Sequence, residues 1–75
     1  MNPDDLSAGQ IGIAYDRNND EVVVATPNKQ VGLAPEKARD LADVYEAAAN
    51  EGEVADVGGT REFIRTLRRY ADIVE

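Results

Sequence analysis

The residues best placed to do chemistry are four arginines near the end of the chain: Arg61, Arg65, Arg68 and Arg69. Spacings of three and four put them on one side of a helix. Such a face can sit against phosphates, as a recognition helix does. It can grip an acidic groove on a protein. It can also stay in solvent, or pair with carboxylates of its own chain. A second set, Glu36, Asp40 and Asp43, has helical spacing too. These carboxylates could share a proton or a cation, but hard cations need several converging oxygen ligands. Their helix face points away from the apolar one, so a solvated stripe or a contact surface is expected and no metal site. A third set is Gly58-Gly59-Thr60-Arg61. Flexible backbone entering a helix N-terminus can hold a phosphate or carboxylate, with Arg61 adding charge. It lacks the lysine of the full glycine-rich signature, and a turn followed by an N-cap is the plainer reading.

The residues missing are as informative. The chain has no histidine and no cysteine. The commonest general base and the best nucleophile are therefore absent, as is any disulfide or thiolate metal site. The hydroxyls of Ser7, Thr26, Thr60 and Thr66 have no base beside them in sequence. The expectation is no enzyme and no cofactor.

The 75 residues carry a net charge of −7. This favours solubility and repels nucleic acid and anionic membranes at long range. The charge is uneven: residues 1–59 hold twelve acids and four bases, whereas 60–75 hold four arginines and three acids. An acidic body with one locally basic helix is expected. Net charge thus favours a protein partner, while the arginine cluster favours nucleic acid. No apolar run approaches the ~20 residues needed to span a bilayer. Met1 to Ala8 is polar and acidic, unlike a signal peptide, so a soluble cytoplasmic protein with no membrane contact is expected.

The elements that position these groups read in order. Residues 1–8 have turn chemistry and little to bury, as in a flexible N-terminus. Residues 9–75 then form a single small domain. Gln10–Tyr15 and Glu21–Thr26 are rich in Ile, Val and Tyr, as strands are, and Asp16-Arg17-Asn18-Asn19-Asp20 is a turn cluster whose asparagines tolerate positive φ. A tip at Asn18-Asn19 pairs Tyr15 with Val22 and Ile13 with Val24. A second turn, Pro27-Asn28-Lys29-Gln30, places Val24 opposite Leu33 and Thr26 opposite Val31. The result is a three-stranded antiparallel meander with 21–26 in the middle. Its other face carries Gly12, Ala14, Val23, Ala25, Gly32 and Ala34. A solvated meander face is ordinarily polar. This small, apolar one is expected to be covered, by a second copy in a homodimer or by one of the helices; simple exposure is the third possibility.

The organising stretch is 33–52. Pro35 suits a first helical position, Glu36 suits the positive dipole end, and Gly52 suits a left-handed cap. Ala38, Leu41, Ala42, Tyr45, Ala48 and Ala49 share one side. Because that stripe is mostly alanine, something should approach it closely. Glu53–Gly59 reads as a loop pinned by Val54 and Val57. Thr60 is then the N-cap of a second helix to Val74, with Phe63, Ile64, Leu67, Tyr70, Ala71 and Val74 on its inner arc.

The run Thr26-Pro27-Asn28-Lys29, followed by Val31-Gly32-Leu33-Ala34-Pro35-Glu36-Lys37-Ala38-Arg39 and Leu41-Ala42, resembles many small bacterial and phage accessory proteins. In these a hairpin leads into a helix starting Leu-x-Pro-Glu-x-Ala-Arg-x-Leu-Ala. It is also similar to the small enteric biofilm-regulator family, where a Thr-Pro-Asn-Lys turn precedes such a helix. The likeness covers about residues 21–49, and the tail from Gly58 departs from it. It implies a small accessory or regulatory protein and carries over no catalytic residue.

The fold expected is α+β, a three-stranded antiparallel β-meander followed by two α-helices. The function expected is a non-catalytic interaction module, a small regulator or inhibitor of phage or mobile-element type. The alternative is a small dimeric nucleic-acid-binding regulator that docks its second helix. On the first reading, replacing Arg65 and Arg68 with Glu abolishes partner binding and leaves the fold intact.

Overall fold

The computed structural model describes residues 11–26 and 29–75. Expectations for the flexible start, for Gln10 and for Pro27-Asn28 lie outside the described residues. Strands β1 (Gly12–Asp16), β2 (Glu21–Thr26) and β3 (Lys29–Leu33) form one antiparallel sheet in the order β1-β2-β3. Helices α1 (Pro35–Asn50) and α2 (Val57–Val74) follow. The architecture is the expected α+β meander and helix pair.

The first hairpin has the expected register, with Ile13 opposite Val24 and Tyr15 opposite Val22. Its turn is organised by Asp16, whose carboxylate accepts from the Asn18 backbone N–H at 2.9 Å and the Asn19 side-chain amide at 2.7 Å. Among the non-glycine residues described, the positive φ falls on Asp20, at 54°, rather than on either asparagine. The second hairpin differs from expectation by two residues. Val24 faces Val31, Val22 faces Leu33, and Thr26 faces Lys29. Lys29 and Gln30 extend the strand instead of the turn. Side chains alternate with a period of two, so a slip of two leaves Val31 and Leu33 on the same face. Hydrophobic pattern alone cannot separate the two registers.

Both helices pack on one face of the sheet, the face of Val22 and Val24, which are 0% and 2% exposed. The core adds Ala38, Ala42, Tyr45, Phe63, Ile64, Leu67, Ala71 and Val74. Helix α1 begins at Pro35 and buries Ala38, Ala42, Tyr45 and Ala49. It ends as expected, on Gly52 at φ 75°. The Gly52 N–H donates to Ala49 O, and the Glu53 N–H reaches back to Ala48 O at 2.9 Å. That pair of bonds is the Schellman closure, which satisfies carbonyls the helix end leaves free.

Helix α2 starts earlier than expected. Its N-cap is Asp56, whose carboxylate accepts from the Gly59 N–H at 2.9 Å. Thr60 is not a cap. It lies inside the helix, fully buried, and its hydroxyl donates to Asp56 O at 2.7 Å. Asp and Thr are both good caps. The hydrogen bonds settle which one caps: the Asp56 carboxylate accepts from the Gly59 N–H, whereas the Thr60 hydroxyl is turned back to the Asp56 carbonyl. Val54 is buried and pins the loop, whereas Val57 is 39% exposed and does not.

Two substitutions test this packing by urea denaturation. Leu67→Ala empties a fully buried position and should cost about 2–5 kcal/mol. Gly52→Ala forces an L side chain into a left-handed backbone and should cost about 1–2 kcal/mol. Asp40→Ala, on the exposed face of α1, should stay within about 0.5 kcal/mol of the parent.

Candidate interaction surfaces

The arginine face of α2 is largely spoken for by the chain itself. α1 and α2 run antiparallel, and steps of four and seven along α1 (39, 43, 50) match equal steps backward along α2 (72, 68, 61). Arg68 bridges to Asp43 at 2.9 Å and to Glu46 at 3.1 Å. At the other end Arg39 bridges to Asp72 and Glu75, each at 2.7 Å. Arg61 donates to the Asn50 side-chain oxygen at 3.3 Å, and Arg65 pairs with Glu62 one turn back. Arg69 pairs with no carboxylate among the described residues. So Arg61, Arg65 and Arg69 remain surface candidates, while Arg68 is a clamp between the helices. On α1, Asp43 belongs to that clamp, and Glu36 and Asp40 are exposed. No group of carboxylates converges to hold a metal ion among the described residues.

The arginine partners explain the protonation of the clamps. Hydrogen bonding from Arg68, reinforced by its charge, holds the Glu46 carboxyl below the usual glutamate range. Arg39 does the same to Glu75. Both arginines sit at the surface, with side chains 32% and 40% exposed, so solvent screening keeps the contribution of each bridge small. Arg68→Glu is nevertheless not a fold-neutral change. It would set three carboxylates against one another and repel α1. Loss of binding in an Arg65, Arg68 double reversal would then report on the helix pair as well as on any partner. The signal that could have found these clamps is the matched spacing of opposite charges along two amphipathic helices; Arg39, Glu46, Asp72 and Glu75 were not singled out in the sequence.

The glycine-rich helix start is also filled from within. Asp56 Oδ2 sits where a Cβ on Gly59 would come within 2.6 Å. The backbone N–H that could have met an external anion already meets this carboxylate. A side chain at 59 would require the capping carboxylate to shift.

Among the described residues, no helix or strand covers the second face of the sheet. Gly12, Ala14 and Gly32 are exposed and Val23 and Ala25 half-buried. A Cβ on Gly12 would meet nothing within 4 Å. The Glu21 carboxylate lies over Gly32, so that a Cβ there would come within 2.8 Å of it. The helices do not divide between the faces. Size limits what the open face can do alone. Three strands about 4.8 Å apart and five residues long cover on the order of 250 Å². A stable interface takes about 800 Å² from each partner. These residues alone therefore offer less area than a standard interface uses, whatever the partner.

No family model, curated protein or solved structure matches the chain. Among the described residues, no helix is long and apolar enough to cross a membrane.

Proton linkage offers a check on the clamps. A carboxylate with a lowered folded pKa stabilises the fold above its unfolded value and loses that contribution as pH falls through the folded one. Salt-bridge stabilisation of α1 against α2 is therefore full above about pH 5 and fades below about pH 4.3. NMR titration of Arg68→Met should return Glu46 to the ordinary glutamate range while Glu75, held by Arg39, stays low.

Proposed function

We propose that this chain is a non-catalytic protein-interaction module, a small regulator or inhibitor that acts by occupying another protein. The observation that carries the proposal is the open sheet face. Gly12, Ala14, Val23 and Ala25 present a small apolar surface on the side of the sheet that the helices leave free, bordered by Gln30 opposite Ala25 and by the Glu21 carboxylate over Gly32. Antiparallel sheets with one solvated face normally alternate apolar and polar residues. Here Ala14 and Val23 pair across the first hairpin, and Val23 and Gly32 across the second. The net charge of −7 sets the partner's character: a basic protein surface is drawn in, and nucleic acid is repelled.

A nucleic-acid-binding regulator is the second candidate. Its supporting observation is that Arg61, Arg65 and Arg68 line one shallow concavity on α2. Glu46 lines it as well, and Arg65 and Arg68 already carry carboxylate partners. The charge left for phosphates is small.

Val23→Glu separates the two. It puts a carboxylate in the middle of the open face and leaves the arginines alone. Cross-linking in extracts of cells that make the protein should yield protein adducts that disappear in this variant. Adducts that persist unchanged in Val23→Glu would overturn the sheet-face assignment. Duplex or single-stranded DNA binding that falls steeply between low salt and ~200 mM salt would favour the nucleic-acid reading.

A further inference from the structure

We propose that the partner is captured by strand addition at the free edge of β1, and that it supplies an extended segment alternating basic and apolar residues. This rests on the interaction-module reading above and names the place and the chemistry of the contact.

β1 is an outer strand of the sheet. One side of its backbone bonds β2, and among the described residues no strand pairs with the other side. Natural edge strands are commonly blunted by lysine, proline or a bulge. β3, the other edge, opens on Lys29. β1 reads Gly-Ile-Ala-Tyr-Asp and has neither lysine nor proline. Alongside this edge runs a groove of about 370 Å³ between β1 and the first half of α2. Ile11, Ile13 and Phe63 supply its apolar surface, and Asp56, Glu62 and Thr66 its polar one.

The two features fit one occupant. A strand added to β1 would extend the sheet by about 4.8 Å. Alternate side chains of that strand would point to opposite sides. One set would enter the groove, against Ile13 and Phe63, within reach of Asp56 and Glu62. The other set would continue the open apolar face beside Gly12 and Ala14. Strand addition also remedies the size problem, because main-chain hydrogen bonds then supply affinity that the small flat face cannot.

Charge decides between a foreign strand and a second copy. The two charged side chains at the groove, Asp56 and Glu62, are carboxylates, and among the described residues the Glu62 carboxylate, 65% exposed, is held by the surface pair to Arg65. Two copies paired edge to edge would bring two such grooves, each on a body of charge −7, against each other. A basic strand is attracted to the same place.

The test uses a fluorescein-labelled nine-residue peptide alternating lysine and valine, titrated into the full chain by anisotropy at low salt. Glutamate–valine and lysine–serine peptides serve as controls. The lysine–valine peptide should bind saturably, and both controls should bind at least tenfold more weakly. Glu62→Lys should weaken binding at least tenfold with an unchanged circular dichroism spectrum. Thr66→Lys, which puts a cation into the groove without touching the Glu62 pair, should do the same if Glu62→Lys proves unstable. Hydrogen exchange should show the amides of residues 12–16 protected by the peptide. Equal binding of the lysine–serine peptide would reduce the effect to bulk charge and overturn the proposal. So would protection confined to β3 or the helices, full binding by both lysine variants, absence of saturable binding, or an edge-to-edge dimer of the free protein by sedimentation. If the peptide fails while cross-linked adducts remain sensitive to Val23→Glu, the groove falls and the interaction module stands. If both fail, both fall.

Discussion

The structure depends on how closely α2 can approach α1. Ala38 and Ala42 are fully buried and Ala49 nearly so. Small side chains on that stripe let the second helix bring Leu67 and Ala71, themselves fully buried, into the same cluster as Val22 and Val24. A larger residue at Ala38 or Ala42 would push the helices apart, and interiors packed this densely do not absorb an added methylene freely. With only four aromatic residues in the chain, bulk comes from a few places. Tyr45 and Phe63 meet edge to face with ring centroids 5.4 Å apart, and Tyr15 meets Tyr70 in the same way at 5.0 Å. These contacts join α1 to α2 and β1 to α2. The salt bridges ring this core and tune the alignment of the helices, while burial supplies most of the energy.

That close packing has a consequence for the surface. Because both helices fit side by side over one face, the sheet keeps the other face and its outer edges. A wider helix pair would have had to spill over an edge. The alanine stripe thus determines both the core and what is left outside it. The same antiparallel alignment brings Arg68 over Asp43 and Glu46 and removes it from the pool of groups free to meet a partner.

Much of this was legible in the residues. Pro35 and Gly52 bracket α1 as local chemistry demands, and the Tyr15–Val22 and Ile13–Val24 pairs follow from one turn and one alternation. The inner arcs of both helices follow from a period of 3.6. Three things were not legible, each for a physical reason. The second hairpin has two registers that differ by two residues and bury the same side chains. Asp56 and Thr60 are both competent caps, and the choice shows only in the folded hydrogen bonds, where Asp56 accepts the Gly59 N–H and Thr60 donates to the Asp56 carbonyl. The arginine partners depend on the relative slide of two helices, which no single helix encodes. The candidate surface divides along the same line: the small apolar face could be read from alternation, whereas the groove beside β1 needed α2 in place.

The contact between β1 and α2 has one more implication. The first strand and the last helix are neighbours in space, so the core is a loop closed by the two ends of the described chain. Neither the β-meander nor the helical hairpin buries its own apolar side without the other. Folding should therefore be all-or-none. During synthesis the chain would remain uncommitted until the residues around Tyr70 and Val74 become available, and would then collapse in one step.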